Sequence, residues 1–230
     1  MGVIADNFKR VQERVGTAAH QSGRLIDAIT LIVVSKTWPA RIVQEAVDAG
    51  AVYLGENRVQ EAEEKVAQMA DSLSWHLIGH LQRNKVKSAL VLFDLIHGVD
   101  GLPLAREISK QAVSHGKVAH VLIQVNTSGE TTKFGISPDS TVDWVGQIAE
   151  LPGLQIEGLM TIGAFEPNPE DVRPNFVALR QVRDAIVDAK VEGISMHALS
   201  MGMTNDFEVA IEEGATMVRV GTAIFGNRAH

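Results

Sequence analysis

One lysine, placed directly after a run of aliphatics, is the residue of this chain best suited to chemistry. In Leu31-Ile32-Val33-Val34-Ser35-Lys36-Thr37, four aliphatics, mostly β-branched, read as a short strand buried on both faces, the kind found in helix-covered parallel sheets. At the C-terminal end of such a strand Lys36 is carried into the mouth where α/β proteins assemble their sites. A lysine can form a Schiff base with an aldehyde, and partial burial of such a group favours the nucleophilic neutral amine. Taken alone, the same residues also describe a lysine that ends a strand and sits in solvent.

Two loops supply what a phosphate needs. Ser200-Met201-Gly202-Met203-Thr204 and Gly221-Thr222-Ala223-Ile224-Phe225-Gly226 each follow a short apolar run. In α/β barrels the loops after strands seven and eight commonly hold phosphate through backbone amides and a short helix N-terminus. Small residues let N–H groups approach phosphate oxygens, and the hydroxyls of Ser200 and Thr222 add hydrogen bonds. Two ordinary glycine turns would read the same way.

Arg219 interrupts the apolar Met217-Val218-Arg219-Val220, where an unpaired guanidinium is costly to bury. It needs an acceptor. A phosphate, a carboxylate or the ring nitrogen of a bound pyridine would each serve, with Glu56 and Glu157 as salt-bridge alternatives. Asn57, after Gly55-Glu56, is either a ligand at the mouth or a helix N-cap. His76 and His80 have the spacing of a metal pair only on a helix, whereas residues 75–78 read as strand, so no zinc site is expected. Met160 and Thr161, ending a strand, line the mouth or cap the core. A lysine and a phosphate cup together point to a phosphorylated aldehyde, with pyridoxal 5′-phosphate the obvious candidate.

The elements that must position these residues alternate regularly. Strands are expected at 31–34, 52–55, 75–78, 95–99, 120–126, within 154–162, at 197–200 and at 217–220. Helices are expected at about 39–50, 56–69 (polar and solvated), 82–90 (short and basic), 103–115, 138–149, 172–189 and 206–213, after an opening helix over 3–22. Some eight strand and helix repeats in 230 residues predict an α/β fold, a (β/α)8 TIM barrel with an extra N-terminal helix, as one domain over 1–230 with no second domain. An open doubly wound sheet is the runner-up, but the glycine fingerprint G-x-G-x-x-G follows none of the strands.

Composition narrows the function classes. The chain has no Cys, which excludes disulfides, thiolate nucleophiles, zinc ribbons and iron–sulfur clusters and permits a cytosolic setting. A net charge of −7 spread along the chain argues against a nucleic-acid groove or an anionic-membrane anchor. The opening residues lack a basic n-region and a long apolar h-region, and Asp6 spoils the myristoylation pattern, so neither secretion nor acylation is expected. No run approaches the apolar length of a membrane span, so a soluble intracellular product is expected.

Several motifs are specific in combination: Val34-Ser35-Lys36-Thr37, Gly55-Glu56-Asn57, Trp75-His76-Leu77-Ile78-Gly79-His80-Leu81-Gln82, Val125-Asn126-Thr127-Ser128-Gly129-Glu130, Gly158-Leu159-Met160-Thr161, Leu199-Ser200-Met201-Gly202-Met203 and Val218-Arg219-Val220-Gly221-Thr222-Ala223-Ile224-Phe225-Gly226. With these the chain resembles, over nearly its whole length, the pyridoxal-phosphate homeostasis proteins. These are single-domain barrels of fold-type III, related to the N-terminal domain of alanine racemase. The resemblance implies that Lys36 carries the Schiff base and that Ser200, Gly202, Gly221 and Thr222 hold the phosphate. It also implies that Arg219 faces the pyridine nitrogen, and that Asn57 and Met160 border the ring. Lys133 matches a loop lysine of the family associated with cofactor transfer, or is a plain surface lysine.

The role implied is a cytoplasmic, monomeric carrier that buffers pyridoxal 5′-phosphate and hands it to dependent apoenzymes, without catalysis of its own. The alternative is a fold-type III racemase or related amino-acid enzyme. Racemisation needs acid/base groups on both faces of the bound substrate. Racemases of similar fold supply the second as a tyrosine from a further domain, which a chain ending at His230 is not expected to have. Its one tyrosine, Tyr53, falls inside strand two, before the mouth. An Arg at the ring nitrogen would also leave the pyridine unprotonated, a weaker electron sink. A third reading, a barrel for another phosphorylated metabolite, leaves Lys36 unexplained.

Overall fold

In the computed structural model residues 2–227 are described. The strands are β1 (Thr30–Val34), β2 (Tyr53–Glu56), β3 (Ser74–Leu77), β4 (Leu95–Val99), β5 (Ala119–Gln124), β6 (Leu154–Met160), β7 (Ala198–Ser200) and β8 (Met217–Val220). They form a closed barrel in sequence order, all parallel, shut by β8 pairing with β1 in the register Ile32 to Arg219. The helices are α1 (Val3–Gln21), α2 (Ala40–Asp48), α3 (Val59–Val66), α4 (Val86–Leu92), α5 (Leu102–Ser114), α6 (Pro138–Ala149), α7 (Arg173–Asp188), α8 (Phe207–Glu212) and α9 (Thr222–Phe225). The barrel and its extra N-terminal helix are as expected from the alternation.

Three segments differ from expectation. The polar stretch from Glu56 is not one solvated helix: Glu56 ends β2 fully buried, and α3 begins only at Val59. The basic residues at 83–85 form a 3-10 turn, and the α-helix after it buries Val86, Ala89 and Leu90. The four-residue helix α9 follows β8 directly.

Side chains alternate across each strand. Val33, Leu54, Trp75, Ile96, Val121, Ile123, Leu199 and Val218 join the large core between the barrel and its helices. Leu95, Leu122, Met160 and Ala198, with Met217 against them, form a separate small cluster, which by that alternation fills the barrel interior. On the same inward period lie His76, His97, Ser200 and Arg219, all buried.

Helix α1 is amphipathic, with Phe8, Val11, Val15 and Ala18 buried at helical spacing. It packs on α2, α8 and α9, over the seam where β1 meets β8. Polar contacts fix it there: Asn7 Nδ2 donates to Ile224 O of α9 at 3.0 Å, and Arg14 pairs with Glu208 of α8 at 2.5 Å.

Candidate functional site

At the C-terminal ends of the strands lies a cavity of about 510 Å³. Lys36, Asn57, Arg219, Gly221 and Thr222 line it together, along with Trp38, Thr204 and Asn227. Lys36 follows β1 and is half-buried, and Arg219 enters from the inner face of β8. Helix α9 is held against the β1 loop by Phe225, which stacks on Trp38 with ring centroids 5.7 Å apart. The cleft therefore sets an amine, a guanidinium, two hydroxyls, side-chain amides and the carboxylates of Glu166 and Asp206 around a partly apolar slot.

Asn57 is brought in by the end of β2, and the cap of α3 is Arg58, so the N-cap alternative does not hold. Its backbone passes so close to Gly79 that a Cβ there would sit 2.5 Å from Asn57 O. Only glycine at 79 leaves that path open.

Arg219 satisfies its burial without a carboxylate contact. Its Nη1 donates to Ser200 Oγ at 2.5 Å and its Nη2 to Thr161 O at 2.8 Å. Neither Glu56 nor Glu157 is its partner: Glu56 pairs with Lys65, and Glu157 with His120 and His197. Two of its five N–H groups are thus engaged. Burial pulls its pKa down to about 10, so it remains charged at neutral pH.

Behind Arg219 a chain of hydrogen bonds runs into the barrel. His97 Nδ1 lies 3.0 Å from Ser200 Oγ, and His97 Nε2 lies 3.0 Å from His76 Nδ1. Since Arg219 can only donate, Ser200 Oγ accepts from it and turns its own proton to His97 Nδ1. Neutral His97 then holds its proton on Nε2 and donates to His76. Burial keeps both rings neutral: it lowers His97 well below the ordinary range, with His76 and Arg219 adding to the effect, and brings His76 to about 4.

Met160, Ser200 and Gly202 are buried and are not among the residues that line the cavity. Met160 belongs to the inner apolar cluster. The Ser200 hydroxyl is engaged by Arg219 and His97 beneath the cleft. Gly202 has φ +90°, and a Cβ there would come within 2.5 Å of Ala210 Cβ, so its smallness serves the packing of α8. The loops after β7 and β8 instead reach the cleft through Met203, Thr204, Asn205, Gly226 and Asn227. Position on the correct loop was the only sequence signal for these.

The loop after β6 adds Ile162, Ala164, Phe165 and Glu166 to the wall. Lys133 lies beside this loop, donating to Gly163 O at 3.0 Å and pairing with Glu130 at 2.5 Å. His76 and His80 do not converge. His80 contacts Asp100 at 3.0 Å, and no metal-binding cluster of three ligands occurs among the described residues.

Residues 4–229 match the family model for the alanine racemase N-terminal domain. A pyridoxal phosphate homeostasis protein of Aquifex aeolicus is 44% identical over 226 residues, covering 98% of each chain. One from Escherichia coli K12 is 41% identical over 232 residues, covering 99% of this chain and 98% of its own. The structure of PipY of Synechococcus elongatus PCC7942 with PLP bound superposes with a TM-score of 0.80 at 35% identity, over 94% of this chain and 100% of that one. An alanine racemase of Clostridium difficile 630 superposes with a TM-score of 0.76 at 17% identity, over 98% of this chain and 58% of that one, a likeness of fold.

Proposed function

This chain belongs to the pyridoxal phosphate homeostasis protein family, built on the alanine racemase N-terminal domain, and on that footing we propose that it binds pyridoxal 5′-phosphate through Lys36 and acts in cellular homeostasis of that cofactor. The observation that carries this reading is the convergence of Lys36, Arg219, Gly221 and Thr222 on one cleft at the barrel mouth. The donor set there fits the group. Lys36 Nζ would condense with the aldehyde of pyridoxal 5′-phosphate, C=N replacing C=O with release of water, a step that needs no oxidant or reductant.

Thr222 and the small residues around it hold the phosphate, with Thr204 and Asn227 at hand beside them. Arg219 would donate to the ring nitrogen and so leave it unprotonated. Asn57 borders the ring. Ser200, at the end of β7, and Gly202, on the loop after it, join Thr222 at the phosphate, and Met160, at the end of β6, borders the ring from below.

The protein works as a monomeric carrier in the cytoplasm and hands the cofactor to apoenzymes, without robust catalysis of its own. Tyr53, the one tyrosine in the sequence, begins β2 and so lies at the opposite end of the barrel from Lys36. It cannot serve as a second acid/base group across the cleft. Among the described residues no helix is long and apolar enough to cross a membrane.

The test is to load the protein with pyridoxal 5′-phosphate, record the imine absorbance band, and follow both alanine racemisation and the activation of a pyridoxal-phosphate-dependent apoenzyme. The expected result is a band, recovered apoenzyme activity and no sustained racemisation. Turnover of alanine would make the protein an enzyme, and apoenzyme activation no faster than with free cofactor would remove the carrier role.

A further inference from the structure

One buried polar cluster lies outside the cleft and its Arg219 network. Glu56, Lys65 and Ser35 are buried between the end of β2 and α3, with Glu61 half-buried beside them. Lys65 Nζ makes three contacts, to Ser35 O at 2.7 Å, Glu56 Oε1 at 2.6 Å and Glu61 Oε1 at 2.8 Å. Ser35 Oγ donates to Glu56 Oε1 at 2.7 Å. Glu61 Oε1 also accepts the main-chain N–H of Thr37.

The cluster therefore closes on the main chain at Ser35 and at Thr37, the two neighbours of Lys36. Thr37 has φ +70°, a left-handed conformation that β-branched residues rarely adopt. Such a conformation costs about 1–3 kcal/mol and persists only where the surroundings over-determine it. Stability alone is a poor account of the ions, because an apolar set of similar volume often does as well or better. Glu56 Oε2 also lacks a hydrogen-bond partner, and burial pushes that carboxyl up.

We propose that Glu56, Lys65 and Glu61 are positioning residues that fix the main chain on both sides of Lys36, so that its side chain enters the cleft in the direction that capture of an aldehyde requires. The inference rests on Lys36 being the capturing residue. It assigns the triad a kinetic role separate from the binding of phosphate and ring.

The experiment compares wild type with Glu61→Leu, which removes the acceptor for Thr37, and with Glu61→Gln, which keeps one. Each folded protein is mixed with pyridoxal 5′-phosphate, and the rate of covalent capture is read by absorbance, the adduct being reduced with borohydride and mapped by mass. Affinity for pyridoxine 5′-phosphate, which has an alcohol in place of the aldehyde, is measured in parallel.

Glu61→Leu is expected to slow capture by ~10- to ~100-fold, the scale on which small misplacements act, and to leave the alcohol's affinity unchanged; Glu61→Gln stays close to wild type. Lys65→Met combined with Glu56→Gln, which leaves the part-exposed Glu61 as the one charge in the cluster, gives the same slowing. Capture at the wild-type rate in Glu61→Leu, or a loss of alcohol affinity in step with the rate, overturns the proposal while Lys36 stands. A wild-type protein with no adduct at Lys36 overturns both.

Discussion

The guanidinium of Arg219 is held by one hydroxyl and one carbonyl, and the hydroxyl is in turn held by a neutral histidine. Removing the Ser200 hydroxyl leaves a buried charge and a buried ring nitrogen each short of a partner, at a cost of about 1–3 kcal/mol. Ser200→Ala is therefore expected to lower urea stability by that amount and to weaken cofactor binding, both measurable on the same sample. The histidines add a pH dependence. His76 titrates near 6.5 when unfolded and near 4 in the fold, so between these values the unfolded chain binds more protons. Stability is full above about 6.5 and is lost as pH falls towards 4, by about 3 kcal/mol from this residue. Urea titrations at stepped pH check this; a midpoint constant from pH 7 to pH 4.5 would contradict it. At this scale the sequence singled out Lys36 and Arg219, which share the cavity lining, because a charge at the end of, or inside, an apolar strand demands explanation. The bonds of the Ser200 hydroxyl to Arg219 and His97 were not read from the sequence, although the alternation Ala198-Leu199-Ser200 already puts that hydroxyl on the inward face with Ala198.

At the scale of elements, the mouth depends on how β7, β8 and their following segments pack. Only Ser200 and Met217 are in register between β7 and β8, so the approach of α8 to the loop after β7 carries much of that joint. Gly202, at φ +90° and with no room for a Cβ against Ala210, makes that approach possible. Gly202→Ala is expected to destabilise the protein by about 1–3 kcal/mol through strain and overpacking, measured by thermal or urea unfolding. An unchanged midpoint would show that α8 can yield. Strands were legible because β-branched runs and flanking turns mark them, whereas α9 was not, being a single turn that tertiary contacts through Trp38 and Asn7 stabilise. The burial of Lys65 was hidden in an acid-rich segment, yet Val59, Ala62 and Lys65 share one helix face, a pattern that marks it as inward.

For the whole molecule, the closed order of eight parallel strands follows from short connections and alternating elements, which is why the barrel could be read before any contact was known. Side-chain depth could not be read in the same way, since it depends on the stagger of the strands around the barrel. Met160, Ser200 and Gly202 are buried and do not line the cavity, while Met203 and Thr204, next along the chain from Gly202, do. Closure also places a rigid rim around Lys36: β8 and α9 on one side, the end of β2 with Asn57 on the other, and α1 sealing the seam outside. The most direct measurement is to add pyridoxal 5′-phosphate to wild type and to Lys36→Ala, reduce with borohydride, and map the modified peptide by mass. A single adduct on Lys36, with none in a still-folded Lys36→Ala, is the predicted result; an adduct on another lysine, or one that persists in Lys36→Ala, would contradict it.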